Sequence, residues 1–239
     1  MDTVDPETVI AIAAEPLEFG GLLQHARSVR RLVWPLQFAR EARIGTRRWI
    51  LAAHGPGPRL ARRAAQTALE GCGGRGALLS TGFCGGVSSG LAPGDIFIAR
   101  EVAEATSGRR YPALLPGCDA PFHCGTLWSQ DCVAASAEEK IRIAALGADA
   151  VDMEAAAVAE EAWRRGAPFY CVRAVSDGAG QPLPLDFNRF RDAEGRFSRW
   201  RITRAILLHP NKLTALLRFR GACRRAAASL GEFLVHCRF

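Results

Sequence analysis

Ala77-Leu78-Leu79-Ser80-Thr81-Gly82-Phe83-Cys84-Gly85-Gly86-Val87 passes from a short apolar run into a segment with three glycines. A run of this length, closed by a glycine-rich turn, reads as a strand buried on both faces. Working outward, four further runs have the same character: Val9-Ile10-Ala11-Ile12-Ala13-Ala14, Trp49-Ile50-Leu51-Ala52-Ala53, Ile96-Phe97-Ile98-Ala99 and Pro168-Phe169-Tyr170-Cys171-Val172-Arg173-Ala174-Val175. Helical patterns separate them, among them the alanine-rich residues 155–163. Strands alternating with helices imply an α/β sheet covered on both faces.

The 239 residues are 49% hydrophobic and 23% charged, which excludes disorder and fibrous repeats. No window approaches the roughly 20 apolar residues of a membrane span, and the acidic start has no basic leader region, so a cytosolic placement is expected. Eight cysteines and five histidines show neither a C-x-x-C pair nor a His pair at helical spacing. Reduced thiols are therefore expected, with no metal and no cofactor.

The net charge of +7 is uneven. Residues 189–239 carry 12 Lys and Arg against 3 Asp and Glu. Residues 1–200 read as one α/β domain and 201–239 as a basic, amphipathic helical segment or helix pair. Leu213, Leu216, Leu217, Cys223, Ala227, Leu230 and Leu234 form its apolar stripe. Arg218 and Arg225 lie opposite the stripe, with Lys212, Arg220 and Arg224 on its margins. Such a stripe covers the sheet, meets a second subunit, or meets an anionic membrane surface.

In α/β sheets, ligands collect beyond the carboxyl ends of strands. Four places qualify. Residues 81–87 offer glycines that let backbone amides approach a ligand, although a tight turn is the simpler reading of glycines alone. Val151-Asp152-Met153-Glu154 enters the alanine-rich helix, whose N-terminus favours an ionised Glu154 able to accept hydrogen bonds from sugar hydroxyls; a plain helix-end carboxylate is the alternative. Ser176-Asp177 ends the most hydrophobic strand, where apolar flanks suit an aspartic acid to proton donation, and an Asx turn is the alternative. Glu15-Pro16-Leu17-Glu18 follows the first strand, with surface charge as the competing reading.

Taken in order, these segments resemble the purine nucleoside phosphorylase/hydrolase superfamily, and in particular its adenine-releasing nucleosidases. The likeness rests on Thr81-Gly82-Phe83-Cys84-Gly85-Gly86 with Pro93-Gly94-Asp95-Ile96, on Asp152-Met153-Glu154-Ala155-Ala156-Ala157, and on Val172-Arg173-Ala174-Val175-Ser176-Asp177. It implies a single-domain, three-layer αβα fold around a central twisted mixed sheet. It also implies roles. Asp177, supported by Ser176, would protonate the departing purine at N7, and Glu18, helped by Arg173, would activate water. Met153 and Glu154 would hold the ribose, and Cys84 and Gly85 would line the base and ribose side. Phe83 stands where a small or hydroxyl residue is usual, and Val133 where an aromatic ring commonly stacks on the base. A homo-oligomer is implied as well.

The phosphorylases of this group usually carry an arginine shortly before the glycine segment, where this chain has Leu78-Leu79-Ser80. Water is therefore the expected nucleophile, with phosphate the alternative that Arg59 leaves open. A looser resemblance, through residues 147–154, Leu183-Pro184-Leu185 and Ile206-Leu207-Leu208-His209-Pro210, is to the hopanoid-associated phosphorylase-like subgroup. It implies removal of adenine from adenosylhopane, with the basic helix reaching the inner membrane face. The alternatives are a methylthioadenosine/S-adenosylhomocysteine nucleosidase, a purine nucleoside phosphorylase, or a storage protein on the same fold. Nucleic-acid binding through Arg189, Arg191, Arg196, Arg199 and Arg201 beside Phe190, Phe197 and Trp200 is a competitor that no recognisable motif supports.

Overall fold

The computed structural model describes residues 8–192, 195–197 and 212–239. In chain order the strands are β1 (Thr8–Ala13), β2 (Ala26–Arg31), β3 (Phe38–Ile44), β4 (Arg47–Ala53), β5 (Ala77–Gly86), β6 (Ile96–Glu104), β7 (Arg110–Pro112), β8 (His123–Ser129), β9 (Ala150–Asp152) and β10 (Phe169–Asp177). The α-helices are α1 (Gly20–Gln24), α2 (Pro58–Gly71), α3 (Ala137–Ala145), α4 (Ala155–Arg165) and α5 (Leu213–Val235), with short 3₁₀ turns at Pro16–Phe19 and Phe187–Phe190.

All five runs read from the sequence are strands of one mixed sheet. β1 pairs in parallel with β4 and β5, and β5 pairs in parallel with β10. Beyond β10 the sheet continues antiparallel through β6, then β8 and β9, and returns to β5 at Gly85 and Gly86. This half of the sheet therefore closes into a ring, while β4, β3 and β2 extend the other half as an open edge. Alternation along β1 sorts the core. Ile10 and Ile12 face the layer of α2 and α4, and Val9, Ala11 and Ala13 face α1 and α5.

Two expectations change. The glycine segment at 81–86 is no turn: β5 runs straight through it, because its end must pair with β9 as well as β10. Of the two readings of the tail, helix or helix pair, the described residues 212–239 hold one helix, and it is its stripe that departs from expectation by dividing. Leu230 and Leu234 are buried against the sheet layer, Ala227 is buried against Gly21 of α1 and Cys223 lines a cavity, whereas Leu213 and Leu217 are exposed at 43% and 56%. The Ile206-to-Pro210 segment, Arg199, Trp200 and Arg201 lie outside the described residues.

Two glycines seat α5. A Cβ on Gly21 would stand 2.2 Å from the Ala227 carbonyl oxygen, and one on Gly231 would stand 2.1 Å from the Gly21 carbonyl carbon. The α1 and α5 backbones thus touch, which brings Phe219 and Cys223 to the wall of the cavity described next.

Candidate active site

A cavity of about 310 Å³ opens where β5, β9 and β10 end, beside the 3₁₀ turn that follows β1. Nine of the ten candidate residues line it: Glu18, Phe83, Cys84, Gly85, Val133, Met153, Glu154, Ser176 and Asp177. Arg173 does not.

The strand end that supplies Ser176 and Asp177 is irregular. Consecutive strand residues point to opposite faces, so a regular β10 would send only one of the two inward. A bulge prevents this: Val175 pairs with Cys84 and Asp177 with Gly85, leaving Ser176 as the extra residue. Both side chains then line the cavity, with the Ser176 hydroxyl bonded to Asp177 Oδ1 and 3.1 Å from the Cys84 carbonyl oxygen.

Glu18 reaches the site because β5 has no side chain at position 82. Gly82 holds φ at +124°, and a Cβ there would stand 2.3 Å from Glu18 Oε1. The carboxyl accepts one hydrogen bond on each oxygen, from Phe83 N–H at 2.8 Å and from Glu15 N–H at 2.7 Å. Burial outweighs these donors and the nearby Arg173 charge, and pushes the Glu18 carboxyl up to about 7.

Glu154 corrects the expectation of a carboxylate kept ionised by its helix. It stands at the start of α4, but its Oε1 turns away to accept from Gly57 N–H at 2.8 Å. Asp152 caps the helix instead, accepting from Ala155 N–H at 2.8 Å and Glu154 N–H at 3.2 Å. Burial and the neighbouring Asp152 push the Glu154 carboxyl up to about 8.

Arg173 lies beneath the floor at 1% exposure. Its guanidinium pairs with Asp152, meets Ser80 Oγ at 2.7 Å and bonds the Thr81 carbonyl. Its two terminal nitrogens bond β5 and β9 and so position them against each other, and from outside the cavity lining it acts on Glu18 through its charge.

Sequence reading missed Lys140. It stands in the first turn of α3, which Ser136 caps by accepting from Glu139 N–H at 3.2 Å. Its side chain is fully buried and paired with Asp177. The surroundings of Asp177 are thus not apolar, as its flanking residues suggested. Also missed were Leu17, Phe187, Phe197 and Phe219, which line the cavity as an apolar group. The Phe187 ring centre lies 5.8 Å from those of both Phe197 and Phe219, with the rings tilted by 60° and 35°.

The two raised carboxyls have a cost in stability with a definite sign. A group ionised above about 4.5 in the unfolded chain but only above about 8 when folded loses folding free energy as pH rises through that interval. We expect Glu154→Gln, which keeps an oxygen for Gly57 N–H, to raise stability by a few kcal/mol at pH 8 and to leave it unchanged near pH 4. Urea unfolding at the two pH values checks this; equal effects at both would contradict it.

A protein-family model described as the phosphorylase superfamily matches residues 8–206. A curated relative, the 5′-methylthioadenosine/S-adenosylhomocysteine nucleosidase of Actinobacillus succinogenes, is 32% identical over 143 residues, covering 47% of this chain and 61% of the relative. The chain thus spans under two thirds of that relative's length. Among solved structures, the nucleosidase of the same description from Neisseria meningitidis, in complex with methylthio-immucillin-A, has TM-score 0.72 at 22% identity, covering 96% of this chain and 97% of that one. Futalosine hydrolase of Helicobacter pylori has TM-score 0.70 at 16% identity, covering 95% of each chain. At these identities the structural likeness is one of fold.

Proposed function

We propose, starting from the fact that this chain belongs to the phosphorylase superfamily, that it hydrolyses the N-glycosidic bond of a 5′-substituted adenosine and releases adenine. The observation that carries this reading is that Glu18, Glu154 and Asp177 line one cavity with Met153 and Ser176. Breaking C1′–N9 leaves a cationic sugar and an anionic purine, so the reaction needs an acid at the base, a base at the water, and an acceptor for ribose hydroxyls. Asp177 is the proton donor to N7 and Glu18 takes a proton from water. Glu154, with Met153, holds the ribose, and its ionised form stabilises the positive charge that grows on the ring. Cys84 and Gly85 flank the base.

Water is favoured over phosphate because five carboxyls, those of Glu15, Glu18, Asp152, Glu154 and Asp177, line the cavity and Leu78-Leu79-Ser80 supplies no cation before the glycines. The finer reading is a lipid-linked adenosine such as adenosylhopane. Leu17, Leu183, Phe187, Phe197 and Phe219 suit an apolar 5′ group better than a charged amino acid. The helix that carries Phe219 also exposes Leu213, Leu217, Arg218, Arg220, Arg224 and Arg225, a composition suited to an anionic membrane.

Adenine release from 5′-alkylthioadenosines of increasing chain length, with and without phosphate, tests this reading. Each buried methylene is worth ~0.8 kcal/mol, so kcat/KM should rise about fourfold per carbon until the apolar space is filled. Phe219→Ala should remove most of that rise. A strict phosphate requirement would make the protein a phosphorylase, and a flat chain-length series would favour methylthioadenosine as substrate, in line with the curated relative.

A further inference from the structure

Lys140 has more acceptors than a structural ion pair requires. Its Nζ bonds Asp177 Oδ2, the Gly178 carbonyl at 2.6 Å and the Gln181 carbonyl at 3.2 Å. An ammonium has three N–H donors and an amine has two. The three partners satisfy the ammonium; once one proton has passed to Oδ2, the amine keeps its two N–H on the carbonyls and its lone pair accepts from the Oδ2 hydroxyl. The other oxygen of Asp177 is arranged in the same way. Ser176 Oγ lies between Asp177 Oδ1 and the Cys84 carbonyl, 3.1 Å from the latter. A hydroxyl has one proton and can also accept. The hydroxyl donates to Oδ1 in both states, so that oxygen keeps its partner whether Oδ2 is ionised or carries the proton received from Lys140. Every buried polar atom of this network has a partner in both states, although unsatisfied groups at such depth cost a few kcal/mol each.

From this double fit we infer that Lys140 is the resting place of the proton that Asp177 delivers to the leaving purine. The inference rests on the nucleosidase reading above. The balance is complete. One proton leaves the Lys140 ammonium for Asp177 and one leaves Asp177 for N7, as the C1′–N9 electron pair stays with the base. Water adds its hydroxide to C1′ and its proton passes to Glu18 and then to solvent. The Lys140 amine regains a proton from solvent, and the sum is nucleoside plus water giving sugar plus adenine. Lys140 touches no substrate, being absent from the cavity lining, and acts through Asp177.

Arginine separates proton supply from charge, since a guanidinium can pair with a carboxylate but does not give up its proton. The assay uses 5′-methylthioadenosine beside the 4-nitrophenyl β-glycoside of 5-methylthioribose, whose leaving group departs without protonation. Lys140→Arg and Lys140→Met should each lower kcat on the nucleoside by about 100-fold or more and keep the nitrophenyl glycoside within about threefold, the pattern of a lost general acid. Removing one partner of a buried pair can unfold a protein, so the Lys140→Met/Asp177→Asn double variant is measured as well. It should be no slower than Asp177→Asn alone, because Lys140 has no route except through that carboxyl. Near-normal kcat in Lys140→Arg would overturn the inference, as charge alone would then suffice. So would equal losses on both substrates, or a double variant slower than Asp177→Asn. If the unaltered protein releases no adenine, the nucleosidase reading fails first and takes this inference with it.

Discussion

Asp177→Asn lowers kcat for adenine release by about 10²–10⁴-fold, the loss expected when a general acid is removed. Asparagine keeps the shape of the strand end and can still bond the Ser176 hydroxyl, so KM should move far less than kcat. The substitution also leaves the Lys140 ammonium, fully buried, facing a neutral amide. Breaking such a pair from one side costs about 3–5 kcal/mol, so a lower urea midpoint should accompany the lost turnover. Steady-state kinetics beside urea unfolding checks both halves. Wild-type turnover in Asp177→Asn would remove the acid from the mechanism.

Glu18→Gln should cost about 10²–10⁴-fold in kcat/KM, with a change in pH profile that identifies the role. A general base works only when ionised. Burial pushes the Glu18 carboxyl up to about 7 and that of Glu154 up to about 8, so the free enzyme gains both ionised carboxylates as pH rises across this interval. The kcat/KM profile of the unaltered protein should therefore climb from pH 6 to pH 9. Glutamine at position 18 removes the lower ionisation and leaves the residual activity with the upper one. A profile unchanged in shape would mean that Glu18 does not take the water proton. Glu154→Gln should instead weaken ribose binding, because the amide loses charge but keeps its oxygen.

Much of this was legible in the sequence because it depends on local signals. Strands buried on both faces show as short apolar runs, and β1, β4, β5, β6 and β10 are all of that kind. β2, with five exposed residues in Ala26–Arg31, has no such run, and β7 and β9 are three residues long. Their pairing is set by register with distant partners. The candidate residues were picked because nearly all stand at or just past the carboxyl end of an apolar run and because their order matches a family pattern. Lys140 escaped because Glu138-Glu139-Lys140 in a short helix reads as a solvated face, and only the closure of the sheet brings that helix to Asp177. The same applies to Phe219, whose place on the wall follows from the Gly21 and Gly231 contact rather than from any feature near position 219. Gly82 misled in an instructive way. Its positive φ serves the approach of Glu18 rather than a reversal of the chain.

The bulge at Ser176 makes the site sensitive to parity. A strand sorts its residues into odd and even, and the extra residue at 176 lets one odd and one even position face the same way. Losing a single residue from the end of β10 would restore strict alternation and turn either the serine or the aspartate away from the cavity, even with every other side chain unchanged. Length changes in the β2–β3 connection, at the open edge of the sheet, would reset nothing. For a chain diverging by insertion and deletion, the tolerated places are therefore set by arithmetic modulo two as much as by chemistry.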